Sequence, residues 1–112
     1  MPITESRADQ TLSFRAEPKS VAEACQRVLG ELGEVESVSR ETGIIAGRLK
    51  VTWATNWVYV TLRISMSGEE TQVAIQTQRK EGLLTEGGAQ RGLVMFTERL
   101  GQELGGKGAA GW

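Results

Sequence analysis

Residues 57–66 (WVYVTLRISM) alternate without a break. Val58, Val60, Leu62, Ile64 and Met66 fall on one side of an extended chain, and Trp57, Tyr59, Thr61, Arg63 and Ser65 on the other. A side-chain period of two belongs to a strand, so this run predicts a β-strand with one apolar face and one mixed face. Such a strand belongs in an antiparallel sheet that is covered on one side only.

The rest of the chain supplies the partners and the cover. Residues 71–80 alternate again, with Val73, Ile75 and Thr77 inward and Gln72, Ala74, Gln76 and Gln78 outward, after a hairpin loop at 67–70. Residues 44–50 form a strand with Ile45 and Leu49 on one face. Residues 34–40 are strand-like, but Val35 and Val38 differ in parity, which predicts a bulge or a twist. Leu12 and Phe14 mark a short half-buried strand over 11–16.

Two amphipathic helices are expected. Val21, Cys25, Val28, Leu29 and Leu32 make one stripe, entered through Glu17 as N-cap with Pro18 at N1, or through Ser20 with Glu23 as a capping box. Pro18 favours the first entry, because its fixed φ suits N1. Gly33 is expected to close the helix as a left-handed C-cap. Ala89, Leu93, Phe96, Leu100 and Leu104 make the second stripe, over 88–104.

The order is β-α-β-β-β-β-α, an α+β two-layer sandwich with an antiparallel sheet of four or five strands and both helices on its apolar face. At 112 residues one domain is expected, over 11–104, between a flexible leader (1–10) and a flexible glycine-rich tail (105–112). The open sheet leaves edges, for which the first strand and the 71–80 strand are the candidates, and these allow a homo-oligomer.

Composition narrows the chemistry. The chain has no histidine, so the ordinary Ser-His and Cys-His nucleophile pairs are missing, as is the usual acid-base group near neutral pH. A single cysteine, Cys25, lies on the first helical stripe and reads as a small core hydrophobe. It can form no internal disulfide, and with no histidine or second cysteine there is no metal-ligand spacing. No catalytic residue, cofactor site or metal site is assigned. Glu86, before the second helix, reads first as a helix-capping acid, and a carboxylate-dependent enzyme built on it is the lesser alternative.

Thirteen Lys and Arg against fourteen Asp and Glu give a formal net charge of −1, mixed along the chain, which argues against nucleic-acid binding. No stretch has the length of a membrane span and no signal-peptide pattern opens the chain; a cytoplasmic location is expected. The literal G-x-G-x-x-G of Gly106, Gly108 and Gly111 follows a helix instead of a strand, so it lacks the geometry that seats a pyrophosphate.

The aromatic cluster remains. Trp53, Trp57 and Tyr59 lie within seven residues. Trp57, Tyr59 and Arg63 share the non-aliphatic face, beside Gln72, Gln76 and Gln78 of the next strand. Trp53, Trp57, Tyr59, Arg63, Gln76 and Gln78 thus compose a candidate interaction surface of aromatic, guanidinium and amide groups, suited to a protein partner or a small ligand. The alternative is an apolar-ligand carrier, with a pocket between the closing helix and the sheet lined by Leu62, Ile64, Ile75, Leu93 and Phe96.

Gly33, Val35, Ser37, Gly43, Ile45 and Gly47, followed by Trp53 and Trp57 in a strand pair and a closing helix, resemble a family of small uncharacterised bacterial domains over residues 11–104. The resemblance implies the β-α-β4-α fold and no established activity. Where similar sequences often carry Asp-Trp-Gly before the last helix, this chain has Glu86-Gly87-Gly88. The function expected is that of a non-enzymatic binding or interaction module.

Overall fold

In the computed structural model, residues 4–50, 58–81 and 88–104 are described. They form β1 (Thr4–Phe14), α1 (Pro18–Leu32), β2 (Gly33–Ser39), β3 (Ile44–Leu49), β4 (Val58–Ser67), β5 (Glu70–Glu81) and α2 (Gly88–Glu103). The strands make one antiparallel sheet in the order β1-β5-β4-β3-β2. This is the α+β architecture the periodicities predict. Among the described residues no helix is long and apolar enough to cross a membrane.

The inward set of each strand meets the two helices. Val58, Val60, Leu62, Val73 and Ile75 are buried, as are Ile45 and Leu49. Val21, Cys25, Val28 and Leu29 of α1, with Leu93, Phe96 and Leu100 of α2, join them in one core cluster. α1 lies over β2, β3 and β4, and α2 over β1 and β5, so the helices sit side by side on one face. Two surface ion pairs join them, Arg27 to Glu103 at 2.7 Å and Arg99 to Glu31 at 2.9 Å.

Local chemistry sets the corners. α1 begins as its sequence indicates, with Glu17 extended and Pro18 opening the helix; the Glu17 carbonyl accepts the Val21 N–H at 3.0 Å. Gly43 closes the β2–β3 turn at φ +72, a left-handed conformation that a Cβ disfavours. A Cβ there would also stand 2.6 Å from the Ile64 carbonyl oxygen, while the Gly43 carbonyl accepts the Ile64 N–H at 2.8 Å.

The structure departs from the sequence expectations at three places. β1 begins at Thr4, so residues 4–10 are strand and not leader. They pair with β5 from Thr4↔Glu81 to Phe14↔Thr71, and a backbone ladder of that length holds polar residues extended without an apolar alternation. β5 lies inside the sheet, so the edges are β1 and β2, not β1 and the 71–80 strand.

Gly33 is no left-handed cap. Its φ of −177 is extended, and its N–H donates to the Leu29 carbonyl as the chain passes straight into β2. It is glycine because a Cβ would collide with the Arg48 carbonyl of the paired strand. The bulge, in contrast, is where parity places it. Register shifts between Val35 and Ser37, which sets Val35 opposite Gly47 and Val38 opposite Ile45 on the helix side.

Candidate functional site

The helices leave the other face of the sheet uncovered among the described residues. Strand register lays its side chains in rows. Arg7, Gln78, Tyr59, Arg48 and Glu34 form one row across all five strands. Asp9, Gln76, Thr61 and Ala46 form the next, and Thr11, Ala74, Arg63 and Ile44 the third.

Four of the six residues singled out from sequence come together here. Tyr59 is 53 % exposed, on the strand at the centre of the sheet, between Gln78 and Arg48. Arg63 and Gln76 are exposed and Gln78 is half-buried. Trp53 and Trp57 lie outside the described residues, as does Glu86.

The electrostatics of the face are uneven. At its β2 side, Arg48 hydrogen-bonds Glu34, and its Nε lies 3.2 Å from a carboxylate oxygen of Glu36, the residue the bulge inserts. The Glu34 hydrogen bond, then the nearby carboxylate charges, hold the Arg48 guanidinium above its ordinary pKa. This arginine is neutralised in place.

Arg63 has no hydrogen-bond or carboxylate partner among the described residues. It borders a shallow open depression of about 460 Å³, floored by Thr61 and Ala74 and walled by Asp9, Gln76 and Ile44. Small side chains opposite a large one create that hollow, because the pleat brings Ala74 directly beside Arg63. A guanidinium with no partner among the described residues thus overlooks a hollow lined by a carboxylate, amides, hydroxyls and aliphatic surface. Tyr59, four residues along the same face, is about 13 Å away.

The residues named for an apolar pocket behave differently. Leu62, Ile75, Leu93 and Phe96 are members of the packed core, with Ile64 at its margin. Cys25 is buried among them, and loss of solvation pushes its thiol up to about 12, which keeps it protonated and inert. Among the described residues no group of three His, Cys, Asp or Glu side chains is arranged to hold a metal ion.

Sequence reasoning missed the Arg48, Glu34 and Glu36 cluster and a second groove of about 520 Å³. That groove runs between α1 and the β2–β3 hairpin and is lined by Ala22, Gln26, Val38, Arg40 and Ile64 among others. Both depend on the bulged β2–β3 register. The shared parity of Glu34 and Glu36 was the available signal, and it could not say which strand faced them.

No protein-family model and no curated relative matches the sequence. Solved structures do match. The Mll3558 protein from Rhizobium loti is 15 % identical, with a TM-score of 0.55 over 92 % of this chain and 99 % of its own. Ara h 8.0201 is 5 % identical, with a TM-score of 0.51 over 96 % and 99 %. TTHA0849 from Thermus thermophilus is 16 % identical, with a TM-score of 0.45 over 92 % and 98 %. At these identities the first two show a shared fold and nothing finer.

Proposed function

We propose that the chain is a non-enzymatic binding module whose uncovered sheet face receives a protein partner. The observation that carries this reading is Arg63, exposed beside a shallow depression and without a partner among the described residues, on the same strand face as the half-exposed Tyr59. A guanidinium with no partner among the described residues, in a surface otherwise supplied with carboxylates, is placed to receive one from outside. The flat phenol ring nearby offers contact area at low entropic cost. The complementary partner surface presents a carboxylate to Arg63 and a planar or aliphatic group to Tyr59.

Other classes fit the face less well. Asp9, Glu34 and Glu36 share it, so no continuous basic track follows it as a phosphate backbone requires. Catalysis is disfavoured by the missing histidine, by a thiol held protonated, and by Glu31, Glu34, Glu36, Glu70 and Glu103 lying in ion pairs with arginines.

A photo-crosslinking residue placed at position 74, in the floor of the depression, tests the reading inside cells. It is expected to yield a discrete heteromeric adduct that Arg63→Glu abolishes, while the same probe at exposed position 98 on α2 yields none. Adducts that are equal from both positions, or indifferent to Arg63→Glu, would overturn it.

A further inference from the structure

The two edges of the sheet are built differently. β2 is seven residues long, bulged at Glu36 and lined with acids that Arg48 neutralises, features that spoil an edge for further pairing. β1 is eleven residues long, pairs with β5 without a register shift, and carries no proline or bulge. Among the described residues nothing pairs with its outer edge, which is a ready template for another strand.

The backbone phase of that edge can be read. Thr77 Oγ1 lies 3.3 Å from the Ala8 carbonyl oxygen, so the polar groups of Ala8 turn inward to β5. Those of its neighbours in the alternation, Arg7, Asp9 and Thr11, therefore turn to the open edge. Arg7 and Asp9 also project their side chains on the same face, both exposed and opposite in charge, on either side of Ala8.

We propose that the chain forms a two-fold dimer through antiparallel pairing of β1 with β1 of a second copy, centred on Ala8. In this register Arg7 of each copy stands opposite Asp9 of the other, and Glu5 opposite Thr11. The outward-turned residues then meet one another, giving roughly eight inter-strand hydrogen bonds. Centring the axis on Asp9 instead would set two aspartates face to face, so the charges select one register.

The helices accommodate the arrangement. Strands lie about 4.8 Å apart, and α2 lies over β1 and β5, so the two α2 helices are offset sideways by about 10 Å and do not collide. Val94, 44 % exposed, is nine residues from Glu103, half a turn round the helix from the flank that pairs with α1. It is thus an exposed apolar residue on the α2 flank turned away from α1, the flank on the side of the second copy.

Sedimentation equilibrium of the full chain over a concentration series tests this. Wild type is expected to show a monomer–dimer equilibrium. Arg7→Asp and Asp9→Arg alone each place like charges opposite one another and are expected to weaken it about tenfold or more. The double exchange restores opposite pairs and is expected to return the wild-type affinity. A second measurement reads the register: Ala8→Cys is expected to form a disulfide dimer on mild oxidation, whereas Gln10→Cys, which faces position 6 of the other copy, is not. A wild-type monomer up to about 1 mM, assemblies larger than two, a double exchange no better than the singles, or equal crosslinking from positions 8 and 10 would each overturn the proposal. Arg7→Asp and Ala8→Cys lie outside the Arg63 depression, so their outcomes separate this dimer from the partner surface there.

Discussion

Thr77 is the polar residue whose replacement reports most directly on how β5, β1 and α2 are joined. It is fully buried on the helix side of the sheet. Its hydroxyl donates to the Ala89 carbonyl in the first turn of α2 at 2.7 Å and lies 3.3 Å from the Ala8 carbonyl of β1. Thr77→Val keeps the shape and removes the donor.

Both acceptors sit within regular backbone structure, so the loss is that of one net intramolecular hydrogen bond, about 1 kcal/mol, and not of a stranded buried group. For a domain near 100 residues this lowers the melting temperature by roughly 4–8 °C. Thr77→Ser keeps the donor and deletes one methyl, at a similar cost of about 1 kcal/mol, while Thr77→Ala loses both, about 2 kcal/mol. Calorimetry of the three variants separates the contributions. Hydrogen exchange adds the location, with faster exchange expected in the first turn of α2 and at the Ala8 end of β1 for Thr77→Val. A valine variant as stable as wild type would refute the reasoning, because the hydroxyl would then contribute nothing beyond the space it fills.

Gly47→Ala is expected to destabilise by about 3 kcal/mol in urea unfolding, since the new Cβ meets the Glu34 carbonyl and lies 2.8 Å from Leu29 Cδ2. Gly30→Ala, an exposed helical site with open space around it, is expected to stabilise by about 0.5–1 kcal/mol in the same assay. Burial raises the Cys25 thiol from 9.0 to about 12, so the folded state holds its proton where the unfolded state releases it. Stability is unaffected by this group below pH 9 and falls between 9 and 12. Cys25→Ala is expected to flatten that alkaline limb in unfolding measured against pH. Arg99 is held above its ordinary pKa by hydrogen bonding to Glu31, then by the charges of Glu31 and Glu103. Arg99→Ala is expected to lower thermal stability slightly at low salt and not at about 1 M salt, where the exposed pair is screened.

Legibility from the sequence followed the strength of the periodic signal. β4, β5 and both helices are placed within a residue or two, because each carries an unbroken apolar period against a polar background. The bulge in β2 was visible as the parity clash of Val35 and Val38. β1 was half legible: Leu12 and Phe14 showed its end, but Gln10 interrupts the inner face and hides its first seven residues. Of the candidate surface, Tyr59, Arg63, Gln76 and Gln78 were grouped by parity, which a strand cannot evade. The hollow beside Arg63 was not legible, since it arises from which small residues the neighbouring strands bring opposite.

Local periodicity therefore reached as far as the elements and their faces, both of which depend on near neighbours along the chain. Strand order, the identity of the edges and the partners of Thr77, Arg48 and Arg63 lay beyond it. Those depend on pairings between residues up to 77 positions apart, such as Thr4 with Glu81. Such pairings come from burying one continuous apolar face under two helices, and no window of sequence contains that condition.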